Sequence, residues 1–200
     1  MSHYYENDPG LDKTESALHF EIGGKSFSLM TSAGVFSKDK LDTGSRILCD
    51  YLISADVVDT LGTTILDLGC GIGVIGVILS RFHQPCKITA IDPNAQACHL
   101  TQENYVLNHV EGTVLEQDYI NDQTYDTIVL NPPIRAGKEV IYSLFKQSFE
   151  HLHPGGSLHI VIRKQHGAKS AQDYLESLGF SVIRPVRDKG FWILSAKKPA

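Results

Sequence analysis

The stretch Asp67–Gly76 reads DLGCGIGVIG and places Gly69, Gly71 and Gly73 directly behind an apolar run. Glycines at this spacing let the backbone turn sharply after a strand and approach a bound molecule closely, as nucleoside sites require. Gly71-x-Gly73-x-x-Gly76 also satisfies the dinucleotide fingerprint, so the loop alone does not separate NAD from other nucleosides. Charge narrows the choice. Asp67 opens the loop, Asp92 with Pro93 closes the next apolar run in AIDPN, and Asp118 follows a third in EQDYI. A doubly negative pyrophosphate beside Asp67 is repelled, whereas the sulfonium and ammonium of S-adenosylmethionine are attracted. Asp92 is suited to accept two ribose hydroxyls as a bidentate pair. Asp118 is placed to accept an adenine amine.

A different chemistry is signalled by NPPIRAGK, Asn131–Lys138, directly after the apolar run YDTIVL. Two prolines end a strand there, and Asn131 stands at the break as a fixed donor and acceptor aimed out of a sheet edge. Basic residues follow this and the next two strands: Arg135 and Lys138, then Arg163 and Lys164, then Arg187 and Lys189. One half of the expected sheet edge is acidic and fits a cationic cofactor. The other half is basic and fits a phosphate-bearing substrate.

The elements that must position these residues alternate. TILDLG, KITAID, TVLEQD, YDTIVLN and SLHIVIR read as strands, and VIGVILSRF, AQACHLTQENYVLN, EVIYSLFKQSFEHL and AKSAQDYLESLG as helices between them. The third of these helices is expected to stop at HPGG, with Gly155 and Gly156 as the signal. FSVIRPV and GFWILSAK are joined by RDKG, a link too short for a parallel crossover, so that pair is antiparallel. Upstream, LHFEIGGKSFSLMTS reads as a hairpin about Gly23-Gly24. SRILCDYLISADVVDTL reads as one helix capped by Thr43 or Ser45. The expected class is α/β, a doubly wound seven-stranded sheet, mostly parallel with one antiparallel strand, plus an N-terminal hairpin and helix. The expected divisions are a polar arm over 1–17, the hairpin and helix over 18–63, and the sheet domain over 64–200.

Composition excludes several classes. A 200-residue chain that is 42% hydrophobic and 20% charged is an ordinary globular sequence, without an apolar run long enough to span a bilayer. The N-terminus lacks a signal-peptide pattern. The four cysteines show no CxxC spacing and read as free thiols, which places the chain in the cytoplasm. The nine histidines form no metal-binding pattern, so no metal is expected. A formal charge of −5 excludes a sequence-blind nucleic-acid binder but leaves room for a local basic patch.

DLGCGIGVIG, AIDPN, QDYI and NPPIRAGK in this order resemble the class I S-adenosylmethionine-dependent methyltransferases, which have a Rossmann-like sheet. With GVFSKDKLDTGSRILCDYL ahead of the glycine loop, the chain is similar to the small-methyltransferase-domain family, which includes 16S ribosomal RNA guanine-N2 methyltransferases. The larger ribosomal enzymes carry a second copy of the fold, so this chain resembles the single-domain branch. The resemblance implies a methyltransferase domain over 64–200 and S-adenosylmethionine as cofactor, held by Asp67, Gly69, Gly71, Gly73, Asp92, Pro93, Asp118 and Asn131. It also implies that the Asn131 oxygen and the Pro132 carbonyl accept both hydrogens of a planar NH2 group, pointing its lone pair at the methyl. Ribosomal RNA or a ribosomal subunit is the implied partner, meeting Pro133, Ile134, Arg135, Lys138, Arg163 and Lys164. Ile134 departs from the pattern, since amino-methylating relatives have Tyr or Phe there to stack on the base. Phe36 is the candidate replacement. Two rivals stand beside RNA guanine: a protein glutamine amide, which also presents a planar NH2, and a nucleoside-binding module without turnover. NAD-dependent dehydrogenation is disfavoured by Asp67.

Overall fold

A computed structural model describes residues 15–32 and 40–200. Two strands, β1 (Glu15–Ile22) and β2 (Lys25–Ser32), form an antiparallel hairpin closed by Gly23 and Gly24, both at positive φ as a tight primed turn requires. The first strand therefore starts three residues earlier than the alternation LHFEI suggests, inside the segment expected as an arm. The next helix is also shorter than expected. It divides into α1 (Thr43–Leu52) and α2 (Ala55–Val58), and the cap of α1 is Asp42, whose Oδ1 accepts the Ser45 N–H at 2.9 Å.

Strand and helix then alternate as β3 (Thr64–Leu68), α3 (Val74–Phe82), β4 (Lys87–Asp92), α4 (Ala95–Leu107), β5 (Gly112–Glu116) and β6 (Tyr125–Leu130). The chain continues through α5 (Lys138–His151), β7 (Leu152–Arg163), α6 (Ala168–Ser177), β8 (Ser181–Asp188) and β9 (Phe191–Lys197). The sheet order is β5-β4-β3-β6-β7-β9-β8, with β9 antiparallel to both its neighbours. Connections run outward in opposite directions from β3 and β6. That pair is the topological switch point, and its C-terminal edge is where α/β sheets leave a crevice.

HPGG does not end α5. Residues 153–156 lie inside β7, at the register shift between the Tyr125–Leu152 and Thr127–Ser157 pairs. Gly155 takes φ +78°, and a Cβ on Gly156 would stand 2.9 Å from the Asp126 carbonyl. Here the glycines admit a bulge rather than a helix stop.

Alternate residues of the central strands enter two separate cores. Ile65, Val129, Val161 and Ile193 pack with α1, α3, α4 and the hairpin, while Leu66, Ile128, Ile160 and Leu194 pack with α5 and α6. Burial of the central strands on both faces explains the predominantly apolar runs in the sequence. Asn104, fully buried on α4, joins the hairpin to the glycine loop: its Oδ1 accepts the Met30 N–H at 2.6 Å, and its Nδ2 donates to the Met30 and Ile72 carbonyls.

Candidate functional site

The crevice at the switch point is a cavity of about 740 Å³, well within the range of small-molecule sites. Gly69, Cys70 and Gly71 wall one side, and Asp92, Pro93, Gln117 and Asp118 line another. Asn131, Pro132, Pro133, Ile134 and Arg135 close it opposite the loop. Ten of the residues expected from sequence thus meet at one wall or another of this space.

The loop's conformation explains what it can bind. Gly69 takes φ +73°, and a Cβ there would meet nothing within 4 Å, so the left-handed turn opens directly onto the cavity. Four of the five amides over 69–73 are already committed. Gly69 and Cys70 N–H donate to the Ile91 carbonyl at 2.7 and 3.0 Å, Gly71 N–H to Asp92 Oδ2 at 3.0 Å, and Gly73 N–H to the Cys70 carbonyl at 2.9 Å. A phosphate cradle needs a row of free N–H donors. With the Gly71 and Ile72 carbonyls already accepting from Thr101 Oγ1 and Asn104 Nδ2, what this loop offers is the negative field of Asp92, which fits an ammonium and a sulfonium.

Asp67 contributes to that field from behind. It lies within β3, is 1% exposed, and does not line the cavity. Neither carboxyl oxygen has a hydrogen-bond partner among the described residues. Burial, with the Asp92 charge second, pushes its pKa up to about 7, and the nearby Gly76 amide, outside hydrogen-bonding geometry, offsets this only in part. Gly73 also sits behind the surface, heading α3 against Thr101 and Tyr105 of α4. Gly76 completes the fingerprint for a packing reason alone: a Cβ there would stand 2.1 Å from the Tyr105 hydroxyl.

Asp92 is buried, and its oxygens fasten two backbone groups, Gly71 N–H through Oδ2 and Asn94 N–H through Oδ1 at 2.9 Å. The helix cap is supplied by Asn94, whose Oδ1 accepts the Ala97 N–H. Asp118 lies two residues beyond the end of β5, exposed on the cavity rim.

Asn131 stands where two spaces meet. It lines the first cavity and also a second of about 440 Å³, bounded by Lys40, Asp42, Thr43, Ile134, Arg135, Arg163, His166 and Phe191. Its Nδ2 donates to the Ser45 hydroxyl at 3.2 Å, and Ser45 is in turn fixed by the Asp42 cap. The amide plane is therefore held through its nitrogen, leaving Oδ1 to accept from a ligand.

Sequence reasoning misses Ser45 as a partner and Phe191 altogether. Phe191 lines the second cavity with the Arg163 guanidinium 4.5 Å from its ring centre. Gly44 permits this close approach, since a Cβ there would stand 3.0 Å from the ring. Lys138 and Lys164 border neither cavity; Lys138 lies 5.0 Å over Tyr142, and Lys164 begins the turn after β7. Phe36 lies outside the described residues.

A model of the methyltransferase small domain matches residues 26–195. The chain is 38% identical over 201 residues to an uncharacterized protein of Bacillus subtilis, YbxB, covering 98% of each. It is 33% identical over 144 residues to ribosomal RNA small subunit methyltransferase C of Vibrio cholerae. That alignment covers 69% of this chain and 41% of the relative, so the chain spans about two fifths of that enzyme's length. Among solved structures, a T. thermophilus 16S rRNA N2 methyltransferase in complex with AdoMet and guanosine superposes with a TM-score of 0.79. At 23% identity, covering 95% of this chain and 51% of that one, this likeness shows the shared fold.

Proposed function

The chain belongs to the methyltransferase small-domain family, and from that premise we propose that it methylates an exocyclic amino nitrogen of an RNA base, guanine N2 of ribosomal RNA. The methyl donor is S-adenosylmethionine, which supplies an electrophilic methyl on a positively charged sulfur. The residues present fit it: a loop with four of its amides already bonded, a buried acid behind that loop, and an acid at each of the next two strand ends. In this reading Asp92 takes the ribose hydroxyls, Asp118 the adenine amine, and the field of Asp92 the ammonium, with Asp67 adding to it from beneath in its ionised form.

One observation carries the proposal. Asn131 is common to both cavities, with its nitrogen held by Ser45 and its oxygen without a partner among the described residues. An NH2 group entering from the second cavity meets Asn131 Oδ1 and the Pro132 carbonyl as two acceptors. These fix the amine plane, direct its lone pair into the first cavity, and stabilise the positive charge that develops on nitrogen. No strong base is needed, because the amine proton becomes acidic only as the new bond forms and then passes to solvent. Phe191 and Arg163 supply the flat wall that Ile134 does not, since a ring and a guanidinium both stack on bases. An aromatic wall beside cationic side chains favours a nucleobase over the smaller, aliphatic glutamine amide. The ribosomal RNA methyltransferases among the relatives support RNA as the substrate class.

The test is to incubate the protein with radiolabelled S-adenosylmethionine and separate pools of ribosomal subunits, naked ribosomal RNA and ribosomal protein. Digestion of the labelled pool is expected to yield N2-methylguanosine. Label recovered as methylglutamine would replace this reading with the protein one, and label in no pool would remove both.

Ser45 has its own expected effect. Ser45→Ala removes one neutral hydrogen bond from Asn131, about 1 kcal/mol, and is expected to slow turnover roughly fivefold at unchanged cofactor affinity. Ser45→Thr keeps the hydroxyl and restores most of the rate. Equal kcat in the alanine variant and the wild type would show that the corner holds Asn131 unaided.

A further inference from the structure

Beyond the second cavity, the C-terminal sheet edge continues through the end of β7, the β8–β9 turn and β8 itself. Arg163 pairs in register with Phe191, Phe191 with Asp188, and the Lys164 N–H donates to the Gly190 carbonyl at 2.9 Å, so the turn is tied to the cavity's rim. On the opposite face of the sheet, Trp192 is 9% exposed at the same edge. Two guanidinium groups cover it: Arg184 at 4.1 Å and Arg187 at 5.6 Å from its ring centre.

This arrangement has a specific structural cause. Residues three apart on a regular strand face opposite sides. β8 carries a register shift between Ile183 and Val186, at Arg184-Pro185, and the shift brings Arg184 to the face of Arg187. Pro185 can occupy this place because β8 is the outermost strand. Arg187 is exposed and Arg184 half-buried, and neither takes part in an ion pair among the described residues. Two arginines thus lie side by side on one indole, in a chain whose net charge is −5.

We propose that Arg184 and Arg187 over Trp192 form a phosphate-binding post for the RNA strand flanking the methylated base; this rests on the RNA reading above. A guanidinium stacked on a ring keeps its N–H edge outward in the fork geometry that grips phosphate, with little rotamer freedom left to lose. β8 lies three strands from β6, about 14 Å at the usual strand spacing. At the 3.4 Å rise of a stacked strand that is on the order of four nucleotides from the base at Asn131. Lys189 and Lys164 stand along the way, giving a cationic path around the sheet's end.

Trp192 is the chain's single tryptophan and is its own reporter. A single-stranded RNA 12-mer titrated into the protein is expected to change Trp192 emission saturably, with an affinity that falls steeply between 50 and 200 mM salt. Arg184→Gln with Arg187→Gln should weaken binding about tenfold at 100 mM salt and flatten the log–log salt slope by about 1.4, the value for two single-strand phosphate contacts. Affinity for S-adenosylmethionine should be unchanged by calorimetry. Should the double variant fail to fold, Arg187→Gln alone is expected to flatten the slope by about 0.7. Anisotropy of a labelled 12-mer provides the second readout. RNA that binds while Trp192 stays silent, or variants with an unaltered salt slope, would overturn the post alone and leave RNA methylation standing. A wild-type protein that binds no RNA and labels none would take the RNA reading and the post down together.

Discussion

Replacing Asn131 with alanine is expected to slow methyl transfer by roughly a hundred- to a thousandfold, about 2.7–4 kcal/mol, the scale of removing one preorganised group that stabilises developing charge. The side-chain oxygen is the group removed. It faces the junction of the two cavities, while the amide nitrogen is occupied by Ser45 at 3.2 Å. Affinity for S-adenosylmethionine should barely move, because in the proposed reading the adenosine meets Asp92, Gln117 and Asp118. Stability should also survive. Pro132 and Pro133 still end β6, and the variant forgoes a single hydrogen bond to the Ser45 hydroxyl. Single-turnover kinetics with saturating cofactor measures the effect without product release intervening. A folded variant with wild-type turnover would exclude Asn131 from the mechanism, and an unfolded one would make it a structural cap.

Asp92→Ala is expected to weaken S-adenosylmethionine binding ten- to a hundredfold, about 1.5–3 kcal/mol, as a charge-assisted pair of hydrogen bonds disappears. A second effect accompanies it. Without Oδ2 the buried Gly71 N–H has no acceptor, and without Oδ1 the Asn94 N–H loses its own at the start of α4. The variant should therefore melt lower even without cofactor. Calorimetry separates the two effects, since loop loosening lowers the melting temperature of the free protein, whereas removal of the ribose contact lowers affinity. Unchanged affinity would leave Asp92 as a fastener of the loop and nothing more.

Much of this architecture is legible in the amino-acid order. The strands 64–68, 87–92 and 125–130 are covered on both faces, so they appear in sequence as predominantly apolar runs whose ends are easy to place. The β8–β9 hairpin follows from the shortness of RDKG, and the placement of Asn131 from the rigidity of Pro-Pro. These are local constraints, enforced by residues within a few positions of one another.

The points where sequence misleads have the opposite character. HPGG carries the same glycines that a helix stop or a strand bulge would use. The pairing of Leu152 with Tyr125 makes it a bulge. Thr43, Ser45 and Asp42 are all competent caps by type. Asp42 takes the role while Ser45's hydroxyl is engaged by Asn131, 86 residues away. Asp67 reads as facing the ligand, because a sequence shows that an acid is near a loop but not which side of the loop it occupies.

What the sequence determined by itself was the order of strands and helices and the residue types at each strand end, since periodicity and turn chemistry act over a few residues. Which of those ends share a space depends on contacts between residues far apart in the chain. Asn131, Arg163 and Phe191 come from just after β6, the end of β7 and the start of β9, and Ser45 from a helix ahead of the whole sheet; nothing local links them. Their meeting depends on the sheet order and on a glycine at position 44 small enough to let a ring approach α1.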